Sequence, residues 1–69
     1  MIELIGDMIK ELRETNNLKQ EDLCKILSIS QPALSNYELN RRTPNTELLL
    51  KIAEHFKVSL DYLYGRYKT

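Results

Sequence analysis

The stretch Gln20-Glu21-Asp22-Leu23-Cys24-Lys25-Ile26-Leu27, then Ser28-Ile29-Ser30, then Gln31-Pro32-Ala33-Leu34-Ser35-Asn36-Tyr37-Glu38 decides the fold. In its first part Leu23, Cys24 and Leu27 recur at the three- and four-residue spacing of one helix face. Leu18, just ahead of that helix, is placed to pack on Leu23 as a hydrophobic staple. Lys19 stands where an N-cap belongs and offers no acceptor; Ser or Thr there is typically worth about 1 kcal/mol more. Only Ser28, Ile29 and Ser30 separate this helix from the next. Ser30 is a good N-cap, and Gln31 and Pro32 occupy a first turn in which the missing proline N–H leaves no helix bond unmade. Ile29 staples to Leu34, and Leu34 and Tyr37 turn inward, so Gln31, Pro32, Ser35 and Asn36 turn outward. So tight a connection excludes an antiparallel hairpin with long overlap and fits two helices that cross steeply. Cys24 is small where the two approach, and Ile29 plugs the core beneath them.

Working outward, the same periodicity continues on both sides. A first helix runs from about Glu3 to Thr15, with Ile5, Ile9 and Leu12 on one face and Met8 beside them, and Asn16-Asn17 ends it. After the loop Leu39-Asn40-Arg41-Arg42-Thr43-Pro44, Asn45 caps a helix over about Thr46 to Phe56 whose stripe is Leu49, Ile52, Ala53 and Phe56. Ser59 caps a short last helix over about Leu60 to Tyr64, with Val58 stapling to Leu63, and Gly65 suits its end. Strand-like alternation is absent over any useful length, and there is no linker or repeat. The reading is an all-α, compact five-helix domain spanning residues 1–69, built around helices two and three.

Composition narrows the function. Sixty-nine residues make one domain with a modest core, since a chain this short hides only about 60% of the surface its unfolded form exposes. Ten Lys+Arg balance ten Asp+Glu, which argues against a polybasic tail or a generic membrane-surface binder. Residues 1–30 carry four Lys/Arg against six Asp/Glu, residues 31–44 two against one, and residues 45–69 four against three. The acids therefore gather in the first two helices, while the third helix and its loop are slightly basic. One cysteine excludes an internal disulfide and fits a reducing cytoplasm. One His and one Cys cannot make a structural zinc site. No apolar run approaches the roughly 20 residues that span a bilayer, and Glu3 and Asp7 interrupt what would be a signal peptide. No nucleophile–base set, phosphate loop or metal motif stands out; Cys24 reads as core and His55 as a structural neighbour of Phe56. The expectation is a binding module and not an enzyme, with no catalytic residue, metal, cofactor or small-molecule ligand.

The steep pair of helices is a helix-turn-helix, a motif whose second helix presents its N-terminal residues to base edges in the major groove while the first crosses the backbone. The run Leu18 to Cys24, then Ile29 to Glu38, then Pro44, resembles the lambda-repressor/Cro (Xre) helix-turn-helix family. Leu12-Arg13 upstream, and Leu49, Ile52-Ala53, Phe56, Val58-Ser59 and Asp61-Tyr62-Leu63 downstream, extend the resemblance over roughly residues 5 to 65. The chain departs from the family at Cys24 and Ser28, where alanine and glycine are common, and at Lys19 and Asn40, where Ser or Thr and glycine are favoured. Cysteine buries well. Ser28 is expected either to hold a left-handed conformation at some strain or to alter the turn slightly, and Asn40 to tolerate that conformation.

The resemblance implies a sequence-specific DNA-binding transcriptional regulator of prokaryotic or phage type, most simply a repressor, working in the cytoplasm on the nucleoid. Gln31 opens the helix that meets DNA, and a glutamine amide pairs bidentately with adenine N6 and N7. Pro32, Ser35 and Asn36 share its face as further base contacts, Pro32 offering only apolar contact to a thymine methyl. The resemblance has Gln20 touch a phosphate and steady Gln31, and Lys19, Ser30, Arg41 and Arg42 hold phosphates, which orients the protein without reading sequence. It also joins Arg13 to Glu38 in a structural salt bridge. Leu60, Tyr64 and Tyr67 recur at i, i+4 and i+7, bordered by Leu50 and Tyr62, and are expected to form the two-fold contact of a homodimer. Two such helices about 34–36 Å apart match a near-palindromic double-stranded operator. Two alternatives stand beside this reading: an antitoxin that represses its own operon, weakened by the lack of a toxin-binding extension, and a helical protein-interaction module that uses the fold without DNA. Near-neutral charge favours the second alternative, and Gln20, Gln31 and Arg41-Arg42 weigh against it.

Overall fold

The computed structural model describes residues 4–64 and shows five helices among them: α1 (Ile5–Thr15), α2 (Gln20–Leu27), α3 (Gln31–Glu38), α4 (Thr46–Phe56) and α5 (Leu60–Leu63). No strand occurs among the described residues, and none of their helices is long and apolar enough to cross a membrane. The bounds of α2 and α4 are those that periodicity and capping imply. α1 starts at Ile5 behind an extended Leu4, and Glu3 lies outside the described residues. α5 stops at Leu63, one residue short of expectation, because Tyr64 is the half-helical cap of a single-turn helix; its N–H donates to the Leu60 carbonyl at 3.0 Å. Gly65, expected to end it, is also outside the described residues.

The helix ends explain the packing. α1, α2, α3 and α4 each run into a residue with left-handed backbone: Asn17 (φ 59°), Ser28 (59°), Asn40 (62°) and Lys57 (57°). In each case the next N–H reaches back five residues to the helix: Leu18 to Arg13 at 3.0 Å, Ile29 to Cys24 at 3.0 Å, Arg41 to Asn36 at 2.9 Å and Val58 to Ala53 at 3.0 Å. These are Schellman closures, which satisfy carbonyls that would otherwise be left without partners. Glycine adopts this backbone without strain, yet none of the four positions is glycine. Asparagine tolerates it; the strain expected at Ser28 is present, and Lys57 carries the same strain with no sequence signal to announce it.

The starts are capped as the sequence implies. The Ser30 hydroxyl accepts from the Ala33 N–H at 3.2 Å, the Asn45 side chain from Leu48 at 2.8 Å, and the Ser59 hydroxyl from Tyr62 at 3.1 Å. The Lys19 ammonium has no lone pair to offer. The carboxylate of Asp22 partly compensates, accepting from the Lys19 N–H at 2.9 Å as the returning half of a capping box.

Met8, Ile9, Leu23, Leu27, Leu34, Leu49, Ile52 and Leu63 are fully buried and draw all five helices onto one core. Leu48 is buried too, widening the inner face of α4, while Phe56 at its C-terminal end is only half-buried. Glycine serves a different purpose from helix termination. Gly6 is buried in the first turn of α1, where an added Cβ would collide with the carbonyl oxygen of Tyr37 and the side chain of Asn40. Asn40 Oδ1 accepts the Gly6 N–H at 2.8 Å, and its Nδ2 donates to Asp7 at 3.2 Å. One asparagine therefore turns the chain after α3 and caps α1, whose own N-cap Leu4 has no side-chain acceptor.

This contact predicts that Gly6→Ala destabilises the domain by about 1–3 kcal/mol through overpacking. Asn40→Ala, which loses the cap and places a Cβ-bearing residue without local hydrogen bonding at positive φ, loses about 2–3 kcal/mol, and Asn40→Gly only about 1 kcal/mol. Urea unfolding followed by circular dichroism checks the order; a neutral Gly6→Ala would show that α1 and α3 do not approach this closely.

Candidate nucleic-acid interface

α3 offers its first turn to solvent. Ser30 caps it and leaves Gln31 and Pro32 exposed, while Ser35 and Asn36, further along, are half-buried. The opposite end of α3 is anchored inside the domain. Arg13, near the end of α1, donates from Nε to Glu38 Oε2 at 2.7 Å and from Nη2 to Oε1 at 3.1 Å, and its Nη1 donates to the Leu18 carbonyl at 2.9 Å. The Arg13 side chain is 11% exposed and that of Glu38 is 3% exposed. The hydrogen bond to Glu38 raises the Arg13 pKa above its ordinary value, against the opposing effect of burial. The expected pair is thus present, and it is an internal clamp joining α1, the segment before α2, and α3.

Glu38 has a further partner that the sequence does not reveal. Gln20, in the first turn of α2, donates from Nε2 to Glu38 Oε1 at 3.0 Å. Gln20 Oε1 in turn accepts from Gln31 Nε2 at 3.4 Å. A relay of side chains therefore runs from a part-buried guanidinium to an exposed amide. Eighteen positions separate Gln20 from Glu38, so no helical spacing links them.

The remaining candidates sit around this line. Ser35 lines a shallow recess with Gln20, Glu38, Arg13 and Lys10, a cation the sequence reading did not single out. The Asn36 carbonyl accepts the N–H groups of Arg41 at 2.9 Å and Arg42 at 3.4 Å, which tethers both exposed arginines to the last turn of α3. Lys19 is exposed beside Gln20. Gln20 touches α3 at both ends, through Gln31 and Glu38, while the arginines follow its last turn. The Ser30 hydroxyl accepts the capping bond and keeps its O–H to donate to a further group.

The apolar set at the far end is only partly described. Leu60 and Tyr64 are half-buried and pack against the core, and Tyr67 lies outside the described residues. The larger exposed apolar side chains are Leu4, Ile26, Leu39 and Leu50. Cys24 is buried; desolvation, with the nearby Glu38 charge second, pushes its thiol pKa up. His55 packs edge-on against Phe56, ring centroids 4.9 Å apart. Among the described residues no three His, Cys, Asp or Glu side chains are grouped to hold a metal ion.

Comparison with known proteins gives a consistent picture. The sequence model of a family described as "Helix-turn-helix" matches residues 9–63. The chain is 39% identical over 62 residues to the HTH-type transcriptional regulator ImmR of Bacillus subtilis, covering 90% of this chain and 49% of that protein. It is 38% identical over 65 residues to the antitoxin PezA of Streptococcus pneumoniae, covering 94% of this chain and 41% of PezA. The chain thus spans half or less of the length of these relatives. Among solved structures, the P22 c2 repressor protein in complex with a synthetic operator superposes with a TM-score of 0.84 at 31% identity, over 93% of this chain and 97% of that one.

The clamp carries a stability prediction. Arg13→Ala leaves the buried Glu38 carboxylate without a cation, and Glu38→Ala leaves the part-buried Arg13 with only the exposed Glu14 at 3.9 Å, a loss of about 3–5 kcal/mol. The double replacement Arg13→Met, Glu38→Leu recovers part of that loss by substituting apolar packing for the pair. Chemical denaturation of the four proteins tests this, and single variants that lose less than about 1 kcal/mol would mark the pair as a surface contact.

Proposed function

The chain belongs to the helix-turn-helix family typified by the lambda repressor and Cro, and from that premise we propose that it is a sequence-specific, DNA-binding transcriptional regulator, most simply a cytoplasmic repressor. α3 enters the major groove of a near-palindromic operator, and a homodimer supplies two copies of it about 34–36 Å apart. The observation that carries this reading is the exposed Gln31 amide, held from behind by Gln20 at 3.4 Å. An amide so braced meets an adenine edge at a smaller entropy loss than a free side chain. Pro32, Ser35 and Asn36 complete the base-facing set. Lys19, Gln20, Ser30, Arg41 and Arg42 take phosphates on either side, fixing register. Leu60 and Tyr64, with the parts of their surface that the core leaves open, and Tyr67 serve the two-fold contact.

The similarity to PezA favours a narrower second reading, in which the same DNA-reading domain belongs to an autorepressing antitoxin. Both readings share the interface and differ in the partner. Stoichiometric complex formation with a toxin encoded beside the chain would select the second.

Selection from random duplex DNA tests the interface. Wild-type protein is expected to enrich an inverted repeat, and Gln31→Ala to lose about 1–3 kcal/mol per half-site and relax one position in each half. No enrichment at low salt refutes the reading.

Salt dependence gives a separate check. Lys19, Arg41 and Arg42 from two protomers imply a slope of log affinity against log salt of about −5. Arg42→Ala should weaken all sequences alike and flatten that slope by about 1 for each half-site. A flat dependence in the wild type excludes these cations from the interface.

A further inference from the structure

We infer that Glu38 is a positioning residue for base selection: by fixing the direction of the relay through Gln20, it commits Gln31 to adenine and against guanine. This rests on the reading of α3 as the helix that enters the major groove. The direction follows from the donor and acceptor inventory of the side chains. A guanidinium only donates and a carboxylate only accepts. Glu38 Oε1 takes a hydrogen bond from Arg13 Nη2 at 3.1 Å and faces Gln20 at 3.0 Å. Gln20 must therefore turn its Nε2 toward Glu38, which leaves Oε1 pointing onward. That oxygen only accepts, so Gln31, 3.4 Å away, must meet it with Nε2.

One of the two Gln31 N–H groups is then engaged within the protein, and one N–H and Oε1 remain for DNA. The major-groove edge of guanine presents two acceptors, N7 and O6, whereas adenine presents the acceptor N7 and the donor N6. A glutamine with both N–H groups free can satisfy two acceptors. With one engaged it cannot, and its carbonyl oxygen would face the guanine O6, acceptor against acceptor. Adenine fits what is left, with Nε2–H on N7 and N6–H on Oε1. The second N–H of Gln20 stays available for a phosphate oxygen, so its two roles do not compete.

The experiment compares wild type, Gln20→Ala and Glu38→Gln. The base read by Gln31 is first located as the position at which Gln31→Ala loses discrimination. Competition titrations then compare duplexes carrying adenine or guanine there, with thermal unfolding recorded for each protein. The wild type is expected to prefer adenine by tenfold or more. Gln20→Ala cuts the relay while leaving the Arg13–Glu38 pair in place. It weakens binding to all sequences through its lost phosphate contact, but its adenine-to-guanine ratio falls to within about threefold. Glu38→Gln, which can both donate and accept, lowers the ratio in the same way. Preferences at the other positions persist in both variants, which a general loosening of the fold would not allow. If Glu38→Gln does not fold, Gln20→Ala decides alone. A guanine preference in the wild type, or an undiminished adenine ratio in Gln20→Ala, overturns the inference while DNA binding stands. Absence of any enriched duplex for the wild type removes the DNA-reading premise, and the inference with it.

Discussion

The Arg13–Glu38 pair is the constraint on which the placement of α3 depends. A planar guanidinium with a fixed fork of donors meets both oxygens of Glu38 and still reaches the Leu18 carbonyl with Nη1. Three segments that share no local periodicity are thereby held by one side chain. A lysine at position 13 would bring a single ammonium and could not span the same three acceptors in this geometry. The pair contributes orientation more than net stability, because the attraction between two desolvated ions is largely offset by the loss of their hydration. What it fixes is the direction of α3: with its last residue clamped between α1 and α2, the first turn is left projecting outward.

A second constraint acts through the backbone. A domain of this size has a net stability of only roughly 3–10 kcal/mol, and a left-handed residue bearing a Cβ costs about 1–2 kcal/mol. Ser28 and Lys57 therefore carry a substantial share of the available stability as strain. The Schellman bonds that follow them, Ile29 to Cys24 and Val58 to Ala53, both 3.0 Å, keep that backbone in place. Ile29 and Val58 also press on the core immediately after the turns, and their burial opposes the strain. Gly6, by contrast, stands inside a helix, a position at which glycine normally weakens structure, and is used for the close approach of α1 to the end of α3.

What could be read from the sequence divides along locality. The limits of α2 and α4 and the caps Ser30, Asn45 and Ser59 depend on neighbours a few residues away and were legible, whereas left-handed turns at Ser28 and Asn40 were suggested by the glycines that the family favours there. The pairing of Arg13 with Glu38 was accessible only through resemblance, since no spacing connects residues 25 apart. The cap that Asn40 places on Gly6 across 34 positions, and the bond from Gln20 to Glu38, had no local signal at all. Lys57 hid for a different reason: a lysine ending a helix looks like a favourable charge at the negative end of the dipole, and nothing in its chemistry announces positive φ. Periodicity correctly grouped Leu60 with Tyr64, but which element covers a face is a tertiary fact, and here the core covers part of both.

The relay gives the buried pair a consequence beyond packing. In most small domains a core interaction can be exchanged for another of equal energy without altering the surface. Here the carboxylate that closes the fold also dictates, through Gln20, which atoms Gln31 can offer. An apolar replacement of Arg13 and Glu38 that kept the helices in place would still leave Gln20 free to rotate its amide, and so leave Gln31 free to present either two donors or a donor and an acceptor. On the proposed reading, stability and base preference are therefore coupled through a single group of known sign. On that same reading, phosphate contacts orient the protein without reading sequence, so base discrimination falls to the preorganised direction of one hydrogen-bond line.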